Sequence, residues 1–141
     1  MSLAALERIY RLPGAKQVEH LNAGVAAGVF VDLAAAVDVS STHLAQALGL
    51  SPRTLRTRVN ALSGKKKPAR LSADETERGF RVYRVLQRAA LTFGNKDAAR
   101  SWMTTPQKAL GEKTPLSMLA RDVGTEEVLN VLTAIRYGVY L

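Results

Sequence analysis

Apolar residues recur at intervals of three and four along most of the chain. Few segments alternate in the manner of a strand, so the pattern predicts an all-α fold. Leu, Ala, Arg and Glu, all good helix formers, dominate the periodic segments. A first helix is expected over residues 3–11, stopped by Pro13-Gly14, and a second over 16–22, ended by Gly24. A third, over 26–37, places Phe30, Leu33 and Val37 on one face, while β-branched Val29 and Val31 pull the same segment towards a strand. Ser41 is placed to cap a helix over 42–48, and Gly49 supplies the left-handed residue that stops it. Ser51 caps the next helix, and Pro52 takes its first position, where a missing N–H costs nothing. That helix is expected to end near Leu62 and to run into the basic string SGKKKP, read as a mobile linker.

A second set of helices follows. Ser72-Ala73-Asp74-Glu75 has the form of a capping box, in which Ser72 and Glu75 satisfy each other's free amides. It opens a long helix over 73–93 with Phe80, Tyr83, Leu86, Ala90 and Phe93 as its apolar positions, and Gly94 stops it. Asn95 caps a short helix to Met103, broken by Thr105-Pro106. Thr114-Pro115 opens another that ends at Gly124, and Thr125 caps the last, whose buried stripe is Val128, Leu132 and Ile135. The expected division is 1–64 for the N-terminal helices and a helix-turn-helix, 65–71 for a basic linker, and 72–141 for a second helical domain.

Charge changes this picture by singling out one region. Residues 51–70 hold seven of the 20 basic side chains and no acid, while the other 121 residues carry 13 basic and 12 acidic ones. Nearly all of the net +8 therefore belongs to the helix after Gly49 and the string behind it. On a helical wheel Leu55, Val59 and Leu62 cluster within about 60°, and Arg53, Thr57 and Asn60 point away from them. Ala45 is small where the two helices cross, Leu44 and Leu48 pack inward, and Leu50 plugs the joint. A tight joint with an exposed basic second helix is the form that reads DNA in the major groove. Arg53, Thr57 and Asn60 are the candidates for base edges, with Thr54 and Arg56 on the flanks. Arg56, Arg58 and Lys65, Lys66 and Lys67 suit phosphates, which fix register without reading sequence. Arg58 stands where such motifs often carry an apolar residue, so Val59 must be the second anchor. An ordinary helical hairpin with a solvated basic face is the other reading, against which the acid-free run of twenty residues weighs.

Signals for chemistry are sparse. There is no cysteine, which excludes disulfides and thiolate metal sites and fits a reducing cytoplasm. His20 and His43 stand alone, and no ligand spacing for a metal is present. Asp74, Glu75 and Glu77 open a helix, where the macrodipole favours acids. Ser40, Ser41 and Thr42 read as caps and not as nucleophiles. No phosphate loop is visible, no cofactor is expected, and the whole argues against an enzyme. No secretory signal is expected from MSLAALERIYRLPG, and no run of about 18 apolar residues exists to cross a membrane. The chain closes on RYGVYL, whose aromatic and apolar groups either dock on their own core or anchor a partner.

The stretch SWMTTPQKALGEKTPLSMLARDVGTEEVLNVLTAIRYGVY strongly resembles the C-terminal toxin-binding domain of Xre/MbcA/ParS-type bacterial antitoxins. The matching features are Trp102, Pro106, Ala109-Leu110-Gly111, Thr114-Pro115-Leu116, Leu119, Gly124, Val128, Leu132 and the closing Tyr137-Gly138-Val139-Tyr140. LGLSPRTLRTRV and RLSADETERGFRVYRVL are similar to the Xre-type region of the same antitoxins, so the resemblance spans residues 31–141. The basic run at 64–69 is longer than the usual join. The resemblance implies a cytoplasmic bacterial type II antitoxin with an all-α Xre-like DNA-binding domain and a small all-helical toxin-binding domain, forming a homodimer within a larger complex. It implies two partners: a RES-domain toxin that consumes NAD or transfers its ADP-ribose, and operator DNA. The neutralising surface it implies comprises Trp102, Lys113, Arg136, Tyr137, Gly138, Val139, Tyr140 and Leu141. The alternative is a stand-alone regulator whose C-terminal half dimerises.

Overall fold

The computed structural model describes residues 3–60 and 69–138. Within them the chain forms eight α-helices: α1 (Ala4–Tyr10), α2 (Gly14–Ala23), α3 (Gly28–Ala36), α4 (Ser41–Ala47), α5 (Pro52–Asn60), α6 (Ala73–Phe93), α7 (Lys96–Met103) and α8 (Asp122–Arg136). Single 3-10 turns at Lys108–Leu110 and Leu116–Met118 lie between α7 and α8. Only isolated bridges, Ala26 to Arg70 and Gln107 to Lys113, stand in for sheet among the described residues. The all-α expectation holds.

α6 is the shaft of the molecule. α1, α2 and α3 pack on its first part, and α7 and α8 pack against it as well. The capping box at its start is formed: Ser72 Oγ accepts from Glu75 N, and Glu75 Oε1 accepts from Ser72 N at 2.8 Å. Gly94 ends it in the left-handed conformation. Because neighbours surround it, its buried positions are more than one stripe. Val82, Val85 and Ala89 are fully buried beside Phe80 and Tyr83, whereas the expected Leu86, Ala90 and Phe93 are only half-buried. Tyr10 packs edge-on against Tyr83 with ring centroids 5.7 Å apart. Burial pushes the Tyr83 phenol above its ordinary value, and the nearby Glu7 carboxylate adds to the shift.

Residues 69–71 return to the N-terminal helices. Ala27 N donates to Ala69 O and Leu71 N to Val25 O, while the buried Thr76 hydroxyl accepts from Val25 N. This approach requires glycine at position 24, where φ is +78° and a Cβ would lie 2.3 Å from Leu71 O. Arg70 closes the corner by donating to the Gly24 carbonyl at 2.5 Å.

Several features differ from the sequence expectation. Ser40, not Ser41, caps α4: its hydroxyl accepts from His43 N, and its backbone is the extended one. Three hydroxyl residues stand in a row there, and any of them could cap. Thr114-Pro115 opens only a 3-10 turn, and α8 begins at Asp122, so Thr125 is not a cap. Thr125 is buried, with its hydroxyl donating to Arg121 O at 2.9 Å. Gly124 does not stop a helix but lets one approach: a Cβ there would sit 2.0 Å from Met118 O. The third difference is Ile135, which is 42% exposed although Val128 and Leu132 are fully buried.

Candidate DNA-reading and partner-binding surfaces

α4 and α5 meet at Gly49, whose φ of +70° makes the turn. Leu44, Ala45 and Leu48 are fully buried at the joint, Leu55 anchors α5, and Val59 packs half-buried against the core. Ser51 Oγ accepts from Thr54 N at 3.2 Å, so α5 starts where the sequence places it. Arg53, Thr54, Arg56, Thr57 and Asn60 are all exposed. Thr57 commits its hydroxyl proton to the Arg53 carbonyl at 3.0 Å. Arg56 and Asn60, with Ser41 and Thr42 across from them, border a groove of about 130 Å³ whose floor includes Phe30, Leu55 and Val59. Neither Arg53 nor Arg56 has an acidic partner among the described residues, so both cations are free to meet an external anion.

Arg58 corrects the sequence reading. It is ion-paired with Glu75 at the start of α6, and its side chain is only 33% exposed. On the wheel it lies about 60° from Leu55, close enough to the buried side for its long stem to fold inwards. A guanidinium held this way already has an acidic partner, unlike those of Arg53 and Arg56. Lys65, Lys66 and Lys67, like Leu62, lie outside the described residues.

The second surface lies at the end of α8. Burial along this helix runs through Val128, Val131, Leu132 and Ala134 and then stops. Ile135 is within about 20° of Val128 on the wheel, so it belongs to the apolar stripe by phase and is exposed because the core beneath it has ended. Arg136 is exposed, Tyr137 is 73% exposed, and Gly138 takes a left-handed φ of +69°. The helix therefore overhangs its own core with an apolar and aromatic tip. Val139, Tyr140 and Leu141 lie outside the described residues.

The two remaining candidates are placed differently. Lys113 is exposed in the turn after Lys108–Leu110, a segment that packs on α8. Trp102 is half-buried on α7, its ring against Phe93 with centroids 5.8 Å apart. It is therefore first a packing residue of the α6–α7 pair, with only part of its surface open to a partner. Sequence reasoning missed Val123, which is 76% exposed in the first turn of α8. Placing the helix cap at Thr125 and not at Arg121, four residues late, hid its phase.

Among the described residues, no group of three His, Asp or Glu side chains could hold a metal ion, and no helix is long and apolar enough to cross a membrane. What the described residues do present is two exposed surfaces, one on α5 and one at the end of α8.

Comparison with known proteins gives these surfaces a family. Residues 16–84 match the antitoxin Xre-like helix-turn-helix domain, and residues 88–138 match the antitoxin Xre/MbcA/ParS C-terminal toxin-binding domain. The chain is similar to an Antitoxin Xre of Yersinia enterocolitica serotype O:8, with 31% identity over 140 residues that cover 96% of this chain and 90% of the relative. An Antitoxin Xre of Photorhabdus laumondii is 34% identical over 122 residues, 85% of this chain and 80% of that one. One from Pseudomonas putida is 30% identical over 86 residues, 61% of this chain and half of that one. A match that runs through both halves at this identity shows the family: the chain belongs to the Xre/MbcA/ParS antitoxins, as a helix-turn-helix domain followed by a toxin-binding domain.

Proposed function

We propose that this chain is a type II antitoxin that neutralises a RES-domain toxin by covering its NAD cleft, and that it represses its own operon by binding DNA. In this reading residues 1–64 carry the DNA surface, residues 72–141 carry the toxin surface, and the basic run between them follows the phosphates. The observation that carries it is the overhang of α8, where Ile135 and Tyr137 stay exposed beyond the end of the core. An apolar tip without its own cover supplies the aromatic anchors that protein interfaces use. Arg136 beside it adds a cation that can pair with a carboxylate on the lip of a cleft. NAD would be held by the toxin, and this chain supplies no catalytic group. Homodimerisation, implied by the resemblance, gives two reading helices for a two-fold operator.

Truncation before Tyr137 tests the proposal when the chain is co-expressed with the product of the neighbouring reading frame. Toxin inhibition is expected to fail while DNA binding survives. Equal protection of the host by the shortened chain would remove the helix tip from the neutralising surface. A stand-alone regulator would show no protection in either form.

A further inference from the structure

Three side chains of α6 spaced three apart, Glu75, Arg78 and Arg81, grip elements on either side of that helix. Glu75 holds Arg58 of α5 while its carboxylate also closes the capping box. Arg78 donates from Nη1 to Leu48 O at 2.7 Å and to Gly49 O at 3.3 Å, the carbonyls that directly follow α4. Asp74 pairs with the Nε side of the same guanidinium at 3.3 Å. Carbonyls at a helix end have no partner of their own, and a cation there satisfies them and opposes the negative end of the dipole. Arg81, whose side chain is only 12% exposed, donates to Ala120 O at 3.2 Å and to Leu119 O at 3.4 Å, and pairs with Asp122 at 2.7 Å. The two gripped turns also touch. A Cβ on Gly49 would lie 3.2 Å from Arg78 Nη1 and 4.0 Å from Ala120 Cβ.

The turn of the helix-turn-helix is therefore held by a side chain from another element, and so is the back of the reading helix. The buried joint and the turn's own bond from Leu50 N to Ala45 O at 2.8 Å set how α4 and α5 cross, and these side chains add a grip from outside the pair. Resting on the DNA-binding reading above, we propose that Arg78 and Arg58 are positioning residues for DNA recognition: they set the pose of α5 from behind and touch no DNA. Arg81 fastens the same shaft to the 119–122 turn, so the toxin-binding half is the abutment against which the reading helix is aimed.

The test separates positioning from contact by salt. A duplex enriched from a random-sequence library by the full-length parent chain is compared with a scrambled duplex of the same length, over about 50 to 200 mM salt. Arg78→Met and Arg58→Met are each expected to lower affinity for the enriched duplex by about 5–30-fold, the effect of one or two lost interactions. Affinity for the scrambled duplex and the slope of log K against log salt should stay at the parent's values. Arg78→Lys, which can still reach Leu48 O, should recover part of the discrimination. Arg58 lies at the edge of the packed body with a third of its side chain exposed, so its variant keeps the proposal testable even if Arg78→Met folds poorly. Two results would overturn it: parental discrimination in both Met variants, or a slope lowered by about 1, the mark of a lost phosphate contact. A parent that enriches no sequence at all would instead sink the DNA-binding reading, and this proposal with it.

Discussion

At the scale of single residues, the five cations and polar groups on the outer side of α5 are not equivalent. Arg53 is exposed and has no acidic neighbour among the described residues, and it is the side chain best suited to a bidentate contact with guanine. Arg53→Ala is expected to weaken specific binding by about 1–3 kcal/mol and to relax preference at one base position. Unchanged affinity for the cognate duplex in an electrophoretic titration would take Arg53 off the reading face. Arg58, five residues on and about 140° round the wheel, is already paired with Glu75. Gly124 shows the same lesson without charge. Its missing side chain lets the first turn of α8 lie against Met118 O, and a methyl group there would meet backbone at 2.0 Å. Backbone cannot swing aside as a flexible side chain can, so Gly124→Ala should cost about 3 kcal/mol or more. For a chain of this size that lowers the thermal midpoint by roughly 10 °C. A variant melting with the parent would mean that α8 starts elsewhere.

At the scale of elements, most of what local chemistry decides could be read from the residues, and what tertiary contact decides could not. The capping box at Ser72, the caps at Ser51 and Asn95 and the stop at Gly94 each follow from a side chain or a missing Cβ acting within one turn. Cap position fails by one residue at Ser40, where adjacent hydroxyls compete for the same role. The start of α8 fails by four, from Arg121 to Thr125, because a glycine that permits close packing looks in sequence like a glycine that ends a helix. The full width of the buried face of α6 was hidden for a related reason. Val82, Val85 and Ala89 are buried only because α7 and α8 also pack on this helix, which no single-stripe pattern announces. The candidate surfaces were legible to a similar degree. The reading helix was visible from charge and wheel together, whereas the clamp behind it joins residues 17 (75 − 58) to 41 (122 − 81) positions apart and leaves no periodic trace. Ile135 was read correctly as part of an apolar stripe and wrongly as buried, since phase fixes direction but not how far the core extends.

At the scale of the whole molecule, one continuous core runs from Leu6 to Leu132, so the two recognition surfaces are carried by a single packed body among the described residues. Affinity for DNA and its specificity then have separate sources. On the proposed reading, specificity belongs to α5 and the struts that aim it, while the bulk attraction belongs to cations that neutralise phosphates and release counterions. Arg58 is removed from that second group by its pairing with Glu75, which leaves Arg56 and the three lysines at 65–67 as its candidates. Replacing Lys65, Lys66 and Lys67 together by Ala lowers the net charge from +8 to +5, since three cations are lost. Each phosphate contact contributes about 0.9 to the slope of log K against log salt, so three contacts contribute about 2.7. The variant should therefore bind cognate and scrambled duplexes more weakly by the same factor, and its deficit should shrink about 40-fold between about 50 and 200 mM salt. Fluorescence anisotropy with both duplexes across that range reads the two quantities at once. A deficit that does not vary with salt would place the lysines away from the phosphates. The electrostatic share of binding would then rest on the arginines of α5.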